Sequence, residues 1–165
     1  MPLANKDILM QIRFLCTKHR SSLESEPDEA LKCCATYCER GWQLYKQQRW
    51  EDALPYMGCA FETAFIVLSS KALAPADARE WFMHTLVGLT QTLIKLEQLE
   101  LCAYLYQSSM DLLRKEPADS LASKSSITLQ INQLARELRH LNHHGNVTNT
   151  AINRLTQSQW SAGLH

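Results

Sequence analysis

Residues 37–60 read YCERGWQLYKQQRWEDALPYMGCA, and this stretch decides the fold. The spacing predicts two short helices joined by a tight turn at residues 47–49. The first helix offers Tyr37, Gly41, Leu44 and Tyr45 on one side. The second offers Trp50, Ala53, Met57 and Ala60. Small residues (Gly41, Ala53, Ala60) stand where two helix backbones would touch, and large ones fill the gaps beside them. That alternation brings helices to roughly 8–10 Å and locks them. A unit of this size cannot bury its own apolar face, so it needs neighbours.

These residues carry a family resemblance. The stretch is similar to a tetratricopeptide repeat, which places a large residue, then Leu-Gly, an aromatic, and later Ala-x3-Phe at fixed spacings. Tyr37, Gly41, Leu44, Ala53, Met57 and Ala60 fall at the matching positions, and LYKQQRWEDALPYM is the most specific part. Arg40 departs from the pattern, which wants Leu there. Pro55 is also unusual, although a proline within the first turns of a helix costs little.

A weaker copy follows. Leu86, Leu89, Thr90 and Leu93, then Cys102, Tyr106 and Ser109, repeat the spacings with small residues in the small slots. From Leu44 to Leu93 the offset is 93 − 44 = 49 residues, longer than the 34 of the family. The extra length lies in FETAFIVLSSKALAP, read as a lengthened second helix with a turn at Ala74 and Pro75. The resemblance covers about residues 31–115. It implies an all-α fold: antiparallel helical hairpins in a right-handed superhelical array of about six helices, with a C-terminal capping helix.

The composition agrees with one helical domain. The chain has 165 residues, 45% hydrophobic and 21% charged, with only five glycines and five prolines. Lys and Arg number 17 against 17 Asp and Glu, and a neutral chain is a poor nucleic-acid binder. MPLANKDILMQIRF lacks the uninterrupted apolar core of a signal peptide. No stretch reaches 18 consecutive apolar residues, so no membrane span is expected. Six cysteines without a secretion signal read as reduced thiols in the cytoplasm.

Helices are expected over residues 3–23, with Ile8, Ile12, Leu15, His19 and Leu23 on one face, and over 28–48, 50–73, 75–97, 99–115 and 118–143. Residues 1–145 form one domain in this reading. Residues 146–165, rich in Asn, Thr, Ser and Gln, read as a flexible polar tail.

Five features were candidates for chemistry or binding. In the family the first helix of each pair lines a concave groove. Carried over by motif, that face here is Ala35, Cys38, Trp42, Tyr45 and Lys46 from one repeat, and His84, Val87, Gln91, Ile94 and Lys95 from the other. Trp42 and Tyr45 are typical anchors of a binding surface, and Lys46 with Lys95 could hold an acidic group. Equally, the two aromatics could pack under a neighbouring helix. His84-Thr85-Leu86-Val87-Gly88 resembles the phosphorylated core of histidine phosphotransfer bundles, with Val87 where the family has Lys. Cys33, Cys34 and Cys38, and Cys16 with His19, lack the paired knuckles of a zinc site, so no metal is expected. Arg136, Arg139, His140, His143 and His144 form a basic patch at the end of the last helix, where cations complement the helix dipole; the alternatives are a metal chelated by His140 and His144 or contact with an acidic partner. Ile127, Ile131, Leu134, Leu138 and Leu141 make a heptad seam, read as a capping face, with a dimer face as the alternative. Arg40 could pair with Glu39 or Glu62.

No catalytic constellation stands out. The reading is a non-enzymatic interaction module, whether adaptor, chaperone or regulator. It needs no cofactor and binds a peptide or helix of another protein in the groove. A phosphotransfer module using His84 and a homodimer through the last helix are the alternatives.

Overall fold

The computed structural model describes residues 13–145. Among them are six helices and no strand: α1 (Thr17–Ser25), α2 (Pro27–Lys46), α3 (Trp50–Ser70), α4 (Pro75–Lys95), α5 (Leu99–Arg114) and α6 (Leu121–Gly145). The fold is all-α. Residues 13–97 and 98–145 form two compact units.

Local chemistry sets most helix ends. Pro27 and Pro75 each open a helix, where a missing N–H is harmless, and acidic residues follow in the first turn. The Ser120 hydroxyl accepts the Ser123 N–H at 3.1 Å and starts α6 three residues after its expected beginning. α2 and α4 end alike. The residues after their last lysines bond back to carbonyls of the final turn, and then Gln48 (φ 59°) and Glu97 (φ 58°) turn left-handed before the next helix. These two turns lie 49 residues apart in sequence.

In the first unit α3 is the centre. It packs on α1, α2 and α4, and twelve of its residues are buried. By length and composition α3 could cross a membrane, but 67% of its most apolar window is buried inside this fold, as befits a core helix. Gly41, Ala53 and Ala60 are all buried. Met57 does more than its position predicted. Its sulfur would lie 2.8 Å from a Cβ at Gly41 of α2, and 2.8 Å from one at Gly88 of α4. One thioether therefore fills two glycine notches and ties three helices together.

The expected helix over residues 3–23 is corrected by the structure. Residues 13–16 are not helical and α1 begins only at Thr17, where the Cys16 sulfur caps the His19 N–H. The cause is Glu62 of α3. Its carboxylate is 3% exposed and accepts the backbone N–H groups of Phe14 (2.7 Å) and Leu15 (2.8 Å), together with the Arg20 guanidinium. The Phe14 ring occupies the space a side chain at Gly58 would need. Two strong acceptor bonds to a buried charge outweigh the helix bonds this short segment would make for itself. Ile8 and Ile12 lie outside the described residues, as does the expected tail over 146–165.

In the second unit α5 and α6 pack on each other. Ile127, Leu134 and Leu141 of the heptad seam are buried, and Ile131 and Leu138 are partly so.

Candidate functional site

The strongest constellation lies where α2 and α4 run side by side over α3. Each helix reverses direction at a short turn, so α2 and α4 are parallel. Trp42 of α2 and His84 of α4 have ring centroids 6.3 Å apart. Tyr45 packs edge-on against Trp42 at 5.4 Å, and Trp81 edge-on against His84 at 6.4 Å. Tyr45, Trp42, His84 and Trp81 thus make one continuous aromatic band across two helices. None of the four is buried.

The band exists because of the glycine notches beneath it. Gly88 lets Trp42 lie close: a Cβ there would be 3.4 Å from the indole. The question of groove or core for Trp42 therefore has a mixed answer, since one edge packs on Gly88 while the residue stays half-exposed. Toward the C-terminal end of the band, Lys46 and Gln91 are exposed, and Ile94 is 40% exposed. Lys95 holds its ammonium 5.5 Å from the centre of the Trp50 ring, a cation–π contact. Toward the other end, Asp77, Glu80, Trp81 and His84 line a cavity of about 390 Å³.

Of the expected face, the rings of Trp42, Tyr45 and His84 are brought together, while Lys46, Gln91, Ile94 and Lys95 are exposed on the same two helices. Cys38 is the correction. It is 5% exposed and points into the core, where it hydrogen-bonds Cys34 one turn earlier. Sequence reasoning missed Trp81, Trp50, Asp77 and Glu80. Trp81 stands three residues before His84, and Glu80 four before it, so helical spacing alone would have found them.

The remaining candidates are placed as follows. Arg40 meets neither Glu39 nor Glu62. It is exposed, 3.4 Å from the Gln43 side-chain oxygen and 6.0 Å above the Tyr56 ring, and Arg20 is the partner of Glu62. Burial, then the nearby thiols of Cys59, Cys33 and Cys16, push the Tyr37 phenol up to about 12. Burial alone raises the Cys102 thiol to about 12 and is the first cause for Cys59, also about 12. The Cys34 thiol is raised first by its bond to Cys38 and then by burial. Such thiols stay protonated at neutral pH and behave as small core residues. Among the described residues no three His, Cys, Asp or Glu side chains are placed to hold a metal. Arg136, Arg139, His140 and His143 are exposed along α6, while the His144 side chain lies outside the described residues.

No family model matches the chain, and no curated protein or solved structure does.

Proposed function

We propose that this chain is a non-enzymatic protein–protein interaction module, an adaptor, chaperone or regulator built of tetratricopeptide-like hairpins. It binds a partner peptide or helix along the α2–α4 face, in the cytoplasm. The observation that carries the reading is the aromatic band from Tyr45 to Trp81, partly exposed and continued by Ile94. Large rigid aromatics at a half-exposed position supply contact area at low entropic cost. Three further features support the repeat reading. The left-handed turns at Gln48 and Glu97 match at the 49-residue offset. Helices α2 and α4, which would be the first helices of successive repeats, lie against each other. The buried small residues Gly41, Ala53 and Ala60 sit in the repeat's contact slots.

A random 16-residue peptide library displayed on phage, panned on the full chain, tests the reading. Enriched clones should compete with one another. Trp42→Ala should weaken each by about 2 kcal/mol or more. Its stability cost should stay below the roughly 3–5 kcal/mol of a fully buried aromatic. Lys46→Glu should alter affinity by an amount that shrinks as salt rises. Clones that bind at full strength to a well-folded Trp42→Ala, Lys46→Glu double variant would remove the site from this face.

A further inference from the structure

The two ends of the α2–α4 face carry opposite charge. At one end Asp77 and Glu80 are exposed and make no ion pair among the described residues. At the other end stand Lys46, equally without an ion pair, and Lys95 over Trp50. Between them the surface is aromatic and aliphatic apart from Gln91. Resting on the interaction reading above, we infer that this face takes an amphipathic partner segment in one direction only, with an arginine side chain of the partner seated between Asp77, Glu80, Trp81 and His84.

The chemistry of the cavity selects a guanidinium. Two carboxylates face it, and the positive end of the α4 dipole offsets only about half a charge. The site is therefore net negative and rejects an acid. A metal ion is a poor occupant, since Asp77, Glu80 and His84 are not placed to coordinate one. The Trp81 and His84 rings stand at 88° to each other and form an aromatic corner. A planar, weakly hydrated guanidinium can stack on such a ring while its N–H fork reaches a carboxylate. Lysine would satisfy the charge but not the plane.

The length of the segment follows from the helix. Glu80 and Lys95 are 15 residues apart on α4, about 22 Å at 1.5 Å per residue. A partner spanning both ends needs about four helical turns, or about seven residues of extended chain at 3.3 Å each. It would carry Arg at the α4 N-terminal end, apolar residues over Trp42 and Tyr45, and Asp or Glu toward Lys46.

The same phage library provides the test. Enriched clones should carry Arg near one end and Asp or Glu near the other. A synthetic peptide of one such clone should bind Glu80→Lys more than tenfold more weakly than the parent chain at low salt, with the loss shrinking at high salt. Its Arg→Glu counterpart should prefer Glu80→Lys over the parent, a swap that mere damage to the fold cannot produce. The conservative Asp77→Asn variant, which removes charge without reversing it in the first turn of α4, should give a smaller loss of the same sign. Clones that need Trp42 but are indifferent to Asp77 and Glu80 would overturn the arginine seat while leaving the interaction reading intact. Clones indifferent to Trp42, or no enrichment at all, would overturn both.

Discussion

Two side chains of α3, five residues apart, each hold several other segments of the chain, and they do it by opposite means. Met57 is fully buried and wedges its sulfur between Gly41 and Gly88. Glu62 is just as deep and gathers two backbone N–H groups and a guanidinium. The first contact is steric and forgiving, because a thioether can change rotamer at small cost. The second is polar and unforgiving, because the two N–H groups would lose their acceptor and Arg20 would keep only Glu24, at 3.8 Å. The difference teaches where this fold is elastic and where it is brittle.

Breaking the brittle end should have the largest effect. Glu62→Ala leaves two backbone donors without their acceptor and Arg20, 5% exposed, with only the half-exposed Glu24 at 3.8 Å, and should cost about 3–5 kcal/mol in urea unfolding. Glu62→Gln keeps an acceptor and should lose less. A Glu62→Ala protein within about 1 kcal/mol of the parent would mean that the segment over residues 13–16 is held by something else.

The elastic end calls for a cycle. Gly41→Ala or Gly88→Ala alone should be near neutral. The helix gains about 1 kcal/mol from losing a glycine, and Met57 can lean toward the notch still open. With both notches closed the sulfur has nowhere to go, and the double variant should lose about 1–3 kcal/mol beyond the sum of the singles. Strict additivity would show that Met57 is not shared between the helices. Ala53→Leu, at a site with no exposed surface, should overpack by a similar roughly 1–3 kcal/mol.

Arg79 sharpens the polar half of the comparison. It is 2% exposed, like Arg20, yet its Nε and Nη1 have no hydrogen-bond partner among the described residues. Where Arg20 has Glu62, two of the three guanidinium nitrogens of Arg79 are buried without a bond. Arg79→Met should therefore raise the melting temperature, with a gain on the order of 1 kcal/mol. A drop of that size would reveal an acceptor for this guanidinium.

The smallest effect is on the alkaline side. The Cys59 and Cys102 thiols sit at about 12 against an ordinary 9.0, and the Tyr37 phenol at about 12 against 10.0. Raised folded-state values mean that the unfolded chain loses these protons first. The stability they contribute is intact below about pH 9 and falls as pH rises toward 12. Melting temperatures should hold level up to pH 9 and then decline, with a shallower decline in Cys59→Ala.

How much of this was readable depended on range. The helices from α2 to α6 followed from periodicity, prolines and turn residues, all local signals. Trp42, Tyr45 and His84 were legible as members of one face, but the contact of Trp42 with His84 was not, because the 49-residue offset sets Trp42 against Gln91 instead. Gly88 was hidden by the repeat register, which put Thr90 in the small slot; Thr90 instead satisfies its buried hydroxyl on the Leu86 carbonyl at 2.8 Å. The N-terminal segment was beyond local reading. Its apolar spacing continues as a helix, and the carboxylate that overrides it lies 48, 47 and 42 residues away from Phe14, Leu15 and Arg20. The sequence offered Arg40 as a partner for Glu62, and nothing short of the three-dimensional arrangement favours Arg20.

That separation also sets a timetable. The turn between α2 and α3 closes at once, whereas drawing Phe14 to Glu62 closes a loop of nearly fifty residues, at an entropic cost of roughly 3 kcal/mol. The hairpin should form early and the clasp at Glu62 late. In the folded protein the order reverses: the clasp is the first part to let go, and it does so while α2 and α3 stay paired. The amides of Phe14 and Leu15, although bonded to a buried acceptor, should exchange with solvent deuterium sooner than those of α3 beneath them. Each opening leaves the Glu62 carboxylate and the bare backbone at Gly58 briefly uncovered.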